Sequence, residues 1–396
     1  MKQRFAAYII ACFLYITTGG MAFSETLHVT ALKLLTGSTS FQAENYSLES
    51  AIADYKTSSN LPDPEAGGEY MVLPPEADNR WAAQLSWSLE WPGVYGARSR
   101  ESQMKISAAE KTLHAQRIER LAEIKDFLLQ YIQCRQKLVL LDELNRNNDT
   151  IFVLAERAAQ GGELTVLDLN KVKLEYANIR GARATLLEEE AEIIGEISKI
   201  YGKDCSEIVS EMDCKFPDIL LPPEEEILKI KDLAPRVQAA NAEAEAARKA
   251  RKVVSMEALP SISLGYKHAF EDGMHFNGGI LGVSIPIFSS RGKGKAAKAQ
   301  ILEKEFLAES AGMEIEAESF QTWKRLKLLK EQIEEITPLV DSGLYNETLL
   351  KAYRHGVITL IDYITERNYF TNAALELVNL RYSAAKAQVQ LQKYLD

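Results

Sequence analysis

The sequence predicts a mainly helical fold with a small β component that faces a membrane, and three observations support this. From Trp81 to Trp91 every odd position is apolar, whereas four of the five even positions are polar. Such alternation predicts a strand with one apolar and one polar face. From Ala97 to Gln160 the chain has no proline or glycine, and a helix of that length is about 96 Å long. The same order of segments then occurs a second time.

The predicted strand is long enough to cross a bilayer when it is tilted. Aromatic residues near the two membrane interfaces are typical of barrel strands. Taken alone, the alternation favours a half-buried strand of a soluble sandwich, because such single-strand signals are weak. The long helix that follows favours the membrane strand instead. The residues that we expect to face lipid are Trp81, Leu85, Trp87, Leu89 and Trp91.

The N-terminal residues 1–24 have the pattern of a secretory signal peptide. Lys2 and Arg4 precede an apolar run from Phe5 to Ile16, and small residues follow. The segment from residue 25 to 80 is expected to be irregular, with barely two helical turns at Ala51 to Lys56. The formal net charge of −10 disfavours nucleic acid and anionic lipid as the main partners.

The chain is predicted to contain two repeats, each with a hairpin followed by long helices. The first repeat, 25–212, has a hairpin at about 62–91 and helices at about 97–200. The second, 235–396, has a hairpin at about 260–288 and helices at about 295–395, after a connector at 213–234. The lead-in helix of the first repeat is expected to be much shorter than that of the second.

Each pair of long helices is joined by a turn with the same residues. Gly162 precedes Thr165 and Asp168, and Gly356 precedes Thr359 and Asp362. A threonine followed three residues later by an acid is a capping box, in which the threonine caps the new helix and the acid bonds back to it. Glycine before such a motif is typical of a helix end.

Two hairpins per chain provide four strands, which are too few to close a barrel. An open strand edge in hydrocarbon leaves backbone amides unpaired at a cost of several kcal/mol each. Three copies would provide twelve strands, an even number within the range of membrane barrels. The predicted fold is therefore mainly α with membrane β: antiparallel coiled-coil helices forming a tunnel, and four strands per protomer in a trimeric 12-stranded barrel.

The chain resembles the TolC family of outer-membrane efflux channels over nearly its whole length. The resemblance is carried by Leu-Glu-Trp-Pro-Gly-Val-Tyr-Gly-Ala-Arg from Leu89, Gly-Glu-Leu-Thr-Val-Leu-Asp from Gly162 and Leu-Pro-Asp-Pro-Glu from Leu61. It is closest to the subgroup that serves metal-cation pumps. The resemblance implies a passive homotrimer in the outer membrane whose helices extend into the periplasm, where it joins an adaptor protein and an inner-membrane transporter.

In that family the turns between paired helices form the periplasmic mouth, where acidic side chains ring a constriction. The resemblance makes Asp168 and Asp362 gate candidates in helix-tip turns that also contain Gly162, Thr165, Gly356 and Thr359. Three nearby copies of Asp362 would repel one another, which favours opening or cation binding. The alternative is that both acids only cap helices. Thr365 stands where the family often has a second acid, so the closing contacts must differ here.

Two other groups of residues have chemistry of interest. His268, Asp272, Met274 and His275 share one hairpin loop and could bind a soft or borderline metal, although solvated loop residues are the ordinary interpretation. Cys205 and Cys214 flank a short connection and either form a disulfide or remain two free thiols. The sequence has no catalytic constellation, and we expect neither an enzyme nor a cofactor.

The sequence therefore predicts the outer-membrane channel of a tripartite efflux pump, which exports metal cations or small toxic compounds. One alternative is a channel of the same build that serves type I protein or peptide secretion. A more remote one is a periplasmic coiled-coil scaffold, which would keep the helices but would not need the membrane.

Overall fold

The computed structural model describes residues 22–72, 79–162, 164–271, 273–341 and 344–395. Residues 1–21 of the predicted signal peptide lie outside this range. The elements follow in the order α1 (Ala22–Gly37), α2 (Thr39–Thr57), β1 (Glu65–Met71), β2 (Arg80–Leu89), α3 (Pro92–Gln160), α4 (Val166–Tyr201), α5 (Ser206–Ser210), α6 (Glu224–Ile227), α7 (Ile230–Leu233), α8 (Pro235–Met256), β3 (Ser261–Glu271), β4 (Met274–Ser284), α9 (Lys293–Asp341), α10 (Leu344–Arg354) and α11 (Leu360–Leu395).

The four strands form one antiparallel sheet in the order β1-β2-β3-β4. Each hairpin contributes two neighbouring strands, and β2 pairs with β3 to join them. Long helices with a four-stranded sheet per chain confirm the predicted fold class. Among the described residues, β1 and β4 each have a neighbouring strand on one side only.

The long helix α3 runs for 69 residues. Pro92 is tolerated at its start because the first helical amides need no partner within the helix. The helix buries Ile124, Leu128 and Ile132, which are four residues apart and so lie on one face. It ends before Gly162, which has the left-handed φ of 78°. None of the described helices combines the length and the apolar composition needed to cross a membrane.

The described chain divides into two compact units. The sheet unit consists of 40–120, 222–323 and the residues after 389, and it contains the four strands. The helix-tip unit consists of the described residues up to 39 together with 121–221 and 324–389. One core cluster of the helix-tip unit surrounds the ends of the long helices and contains Ile151, Ala155, Val172, Leu349, Leu360, Tyr363 and Ile364.

The expectation that residues 25–80 are irregular was wrong, since α1 and α2 fill most of that segment. Helix α1 buries one face and packs near α4: a Cβ on Gly37 would lie 2.8 Å from the Tyr201 ring. The 19 residues of α2 compare with 22 in α8, so the first lead-in helix is not the short one that we expected. The buried face of α1 consists of Leu27, Ala31, Leu34 and Leu35.

Only the residues from Ala51 to Lys56 of α2 were predicted to be helical, because the helix has no fully buried residue and its hydrophobic pattern is weak. Arg117 of α3 makes two contacts with α2. The Arg117 guanidinium lies 4.2 Å from the centre of the Phe41 ring and donates to Asn45 at 2.8 Å. A helix held by tertiary contacts of this kind leaves little periodic signal in its own sequence.

We predict that L34A lowers the stability of the protein. Leu34 is 1% exposed, and removing a buried leucine side chain costs about 2–5 kcal/mol. The measurement is the thermal unfolding midpoint in detergent. V29A is the control, because Val29 is in the same helix and 52% exposed. Equal midpoints for the two variants would show that α1 does not pack as described.

Candidate membrane sheet and helix-tip turns

One face of the sheet is almost wholly apolar. Leu85 lies opposite Tyr266, and Trp87 lies opposite Leu264. Residues directly opposite each other in a sheet share a face, so the register gathers the apolar positions of three strands. We call this surface the apolar sheet face. It consists of Trp81, Leu85, Trp87, Leu89, Ile262, Leu264, Tyr266, Phe270, Leu281 and Val283.

The apolar sheet face is exposed. Leu85 is 54% exposed, Leu264 is 48% exposed and Leu281 is 75% exposed. None of the five residues that we predicted to face lipid is fully buried in the described chain. A contiguous exposed apolar surface marks an interaction site for protein or membrane. The alternative, a strand packed inside a soluble core, does not agree with this exposure.

The opposite face of the sheet is mostly polar or small, although β4 also places Phe276 and Ile280 there. Gln84 lies opposite Lys267, and Ser88 lies opposite Ser263. Gly265 allows a close approach there, because a Cβ at this position would lie 2.9 Å from the Leu85 carbonyl oxygen. The sheet therefore separates an apolar from a water-compatible side, as the alternation from Trp81 to Trp91 predicted.

Arg98 forms ion pairs where β2 is followed by α3 and where α8 is followed by β3. Its guanidinium lies 2.7 Å from a Glu90 carboxylate oxygen and 2.7 Å from one of Glu257. Glu90 ends the β2 segment, and Glu257 ends α8 just before β3. Burial opposes the charge of Arg98, but the hydrogen bonds to Glu257 and Glu90 outweigh burial and raise the pKa of Arg98. The sequence did not reveal this contact, because Glu257 is distant along the chain.

The first helix-tip turn forms a cap on α4. The Thr165 hydroxyl accepts from the Asp168 amide at 3.2 Å and donates to the Asp168 carboxylate at 2.7 Å. Lys171 donates to the other Asp168 oxygen at 3.0 Å. The left-handed Gly162 ends the preceding helix. The bonds to Thr165 and Lys171 lower the pKa of Asp168.

The second helix-tip turn has the complete reciprocal capping box. The Thr359 hydroxyl accepts from the Asp362 amide at 3.1 Å, and the Asp362 carboxylate accepts from the Thr359 amide at 3.1 Å and from its hydroxyl at 2.6 Å. Gly356 has a φ of 68°. Hydrogen bonds from Thr359 lower the pKa of Asp362. Both acids therefore cap their helices as anions, and the gate role of Asp168 and Asp362 stays a prediction.

Exposed apolar side chains surround these turns. Val166 is 75% exposed, Leu167 is 74% exposed and Val357 is 74% exposed. Leu360, which occupies the place of Val166 in the second repeat, is instead buried in the core of the helix-tip unit. The two turns thus use one local motif, but the first presents more apolar surface than the second.

Of the four residues that we named as candidate metal ligands, only His268 and His275 lie close together in the described chain. His268 and His275 approach each other, with 3.2 Å between Nε2 and Nδ1. Met274 lies opposite Glu271, one register position beyond His275, and so is on the other face of the sheet. Asp272 lies outside the described residues. Among the residues that are described, no three histidine, cysteine or acidic side chains group closely enough to hold a metal ion.

Of the two alternatives for Cys205 and Cys214, a disulfide or two free thiols, the structure has two free thiols. The Cys205 sulfur lies 3.2 Å from the Ser198 hydroxyl, whereas the Cys214 sulfur contacts the Met212 carbonyl. Burial raises the pKa of each thiol. Short spacing along a chain does not by itself direct two sulfurs toward each other.

Comparison with known proteins gives no match to a protein-family model or to a curated protein. Solved structures do match. A membrane protein from Pseudomonas aeruginosa is 17% identical, with 93% of this chain aligned to 90% of that one and a TM-score of 0.79. The outer-membrane channel OprN is 16% identical over 94% of this chain and 90% of its own, with a TM-score of 0.76.

CusC, a further transmembrane channel, is 16% identical over 96% of this chain and 95% of its own, with a TM-score of 0.71. At these identities the likeness shows the fold, so the resemblance to outer-membrane channels that the sequence indicated is confirmed at that level. CusC is one of several such channels, and the likeness does not single out the metal-cation subgroup.

We predict that T359A weakens the second turn. Loss of a capping hydroxyl costs about 1 kcal/mol, so hydrogen exchange of the Asp362 amide should accelerate about fivefold. T365A is the control, because Thr365 is exposed on the same helix and is three residues after Asp362. Equal exchange in both variants would contradict the capping geometry.

The contribution of the Asp362 carboxylate should depend on pH in one direction. Because folding lowers its pKa from the ordinary value of 3.8, its stabilising effect is fully present above that value. The effect is lost as the pH falls through the lowered pKa. The backbone amides in the first turn of α11 should therefore be protected from hydrogen exchange at neutral pH. They should lose that protection only in strong acid.

Proposed function

We propose that this chain, which has the fold of outer-membrane channels, is the outer-membrane component of a tripartite efflux pump. It is a passive conduit: a partner in the inner membrane supplies the energy, and this protein supplies a water-filled path across the outer membrane. The observation that carries the proposal is an exposed apolar sheet face on a four-stranded sheet whose outer strands, β1 and β4, each pair with one strand among the described residues.

The outer strands of the sheet, β1 and β4, support a homotrimer. The backbone groups on the outer sides of β1 and β4 need hydrogen-bond partners wherever water is absent. Pairing β1 of one copy with β4 of the next meets this need, and three copies close a ring of twelve strands. In that ring the apolar sheet face contacts lipid, and the face with Gln84 and Lys267 lines the aqueous interior.

Helix-tip turns support a periplasmic partner. The exposed side chains of Val166, Leu167 and Val357 provide apolar surface beside two rigid, capped turns. The resemblance of the sequence to efflux channels implies that an adaptor protein binds there and connects the channel to an inner-membrane transporter. The helices of both repeats then form the periplasmic tunnel.

Metal cations are the cargo class that we favour within this proposal. The support is the set of sequence motifs from Leu61, Leu89 and Gly162, which resemble those of channels for metal-cation pumps. Small toxic compounds fit the same conduit, because a wide aqueous lumen selects weakly. The inner-membrane partner, rather than the channel wall, determines what is exported.

We predict that L85R prevents assembly in the outer membrane. An arginine on the lipid-facing side of a barrel costs about 2–4 kcal/mol near the bilayer centre, and a trimer carries three copies. The measurement is the amount of trimer in outer-membrane fractions, resolved on a gel without boiling. The unchanged protein should run as a trimer in detergent.

Q84R is the matched control, because Gln84 is adjacent in β2 and points to the polar face. It should assemble as the unchanged protein does. A trimer that forms equally well with L85R, or a well-behaved monomer that needs no detergent, would disprove the proposed barrel.

We predict that D362N weakens the block of the channel by divalent cations. The asparagine side chain keeps an oxygen that can accept a hydrogen bond from Thr359, but each protomer loses one negative charge. The variant therefore tests the gate role separately from the capping role. The measurement is single-channel current in planar bilayers with divalent cations on the helix-tip side. D218N, which removes an exposed acid in the connector, should leave the block unchanged. The same block in both variants would leave Asp362 with capping alone.

A further inference from the structure

We propose that His268 and His275 form a binding site for one divalent transition-metal ion of the zinc, copper or nickel class at the β3–β4 turn. This site is separate from the proposed transport path, because both side chains lie on the same side of the sheet as the apolar sheet face and not on the side with Gln84 and Lys267. It needs only the hairpin that the sheet unit contains, so it does not depend on the proposed function.

The strand register brings the two histidines together. His275 lies opposite Phe270, and His268 lies opposite Asn277. The histidines are therefore diagonal neighbours on one face, since positions two apart in a strand point to the same side. The rings stack with their centres 5.3 Å apart.

The separation of the nitrogens suits one metal ion. His268 Nε2 and His275 Nδ1 are 3.2 Å apart. If each nitrogen lies about 2.05 Å from a shared ion, as in zinc sites, this separation gives an angle of about 103° at the ion, near the tetrahedral value. The hydrogen bond that joins the rings is thus replaced by two metal–nitrogen bonds without moving the strands.

The hydrogen bonds around Asn277 prepare His268 for this role. The Asn277 side-chain oxygen lies 2.6 Å from the Tyr266 hydroxyl and 2.6 Å from His268 Nδ1. An amide oxygen only accepts hydrogen bonds, so Nδ1 carries the proton of the neutral His268 ring and Nε2 has the lone pair that can bind a metal ion. A metal-binding histidine is commonly oriented in this way by a hydrogen bond from its other nitrogen.

His275 adapts to the ion by changing its tautomer. Because His268 Nε2 carries no proton when Nδ1 of the neutral ring donates to Asn277, the hydrogen bond between the rings requires that His275 carry its proton on Nδ1. Binding requires that this proton move to Nε2 of the same ring and that the ring rotate until its Nδ1 lone pair faces the ion. His275 is exposed, so water can transfer the proton. No proton is released when both rings start neutral.

Aromatic neighbours restrict where the two rings can go. The Trp81 ring centre lies 5.2 Å from that of His268, and the Phe270 ring centre lies 5.0 Å from that of His275. Two histidines fill two positions of a metal ion and leave the others for water or for oxygen ligands from outside. Imidazole suits zinc, copper and nickel rather than magnesium or calcium.

Titration of the full-length protein, purified in detergent without a polyhistidine tag, tests the site. We expect one Zn²⁺ per protomer by calorimetry, and binding at least tenfold weaker in both H268A and H275N. Copper(II) added to the same protein should give an electron paramagnetic resonance spectrum with coupling to two nitrogens. N277A should weaken Zn²⁺ binding about tenfold through the orientation of His268.

Two controls separate this site from general surface binding. H114A removes an exposed histidine from α3, and M274A removes a side chain from the other face of the same turn; neither should change the affinity. Binding that survives H275N, or copper coupled to one nitrogen only, would overturn the proposal. Each result can be obtained whether or not the protein proves to be a channel.

Discussion

The rest of the structure depends on a four-stranded sheet that has one exposed apolar face. Four antiparallel strands expose apolar side chains such as Leu85 and Leu281 on one face and leave both sheet edges without neighbours among the described residues. In water the apolar face is unfavourable, and in lipid the open edges are unfavourable. The trimer that we propose would solve both problems together, because copies of the chain would pair their edges inside a membrane.

The duplicated plan produces equal local structure but unequal surroundings. Thr165 and Thr359 both cap helices with the acid three residues later. Val166 is nevertheless exposed, whereas Leu360 is buried among helices of its unit. Capping involves only neighbours along the chain, and the burial of a side chain depends on the helices packed around it.

Polar contacts between different elements help to position the strands, in addition to the packing of apolar side chains. Arg98 links Glu90 to Glu257 at the place where strands meet helices, and this pair of contacts fixes how β2 and β3 enter the sheet. At the other end of β3, His268 is oriented by Asn277 of the next strand. These interactions join residues whose partners cannot be read from their own segment.

The sequence by itself determined the long helices, the four strands, the apolar side of β2 and the two capped turns. Each of these depends on periodicity or on residues within one helical turn. Tertiary structure alone decided the rest. Helix α2 has no fully buried residue and is contacted by Arg117. The Cys205 thiol forms a hydrogen bond with Ser198 and no disulfide with Cys214. Met274 and His275 lie on opposite faces of the sheet, because the strand register determines the face of each residue. Contacts between distant segments form only when the chain is folded, and so they leave no local pattern to read.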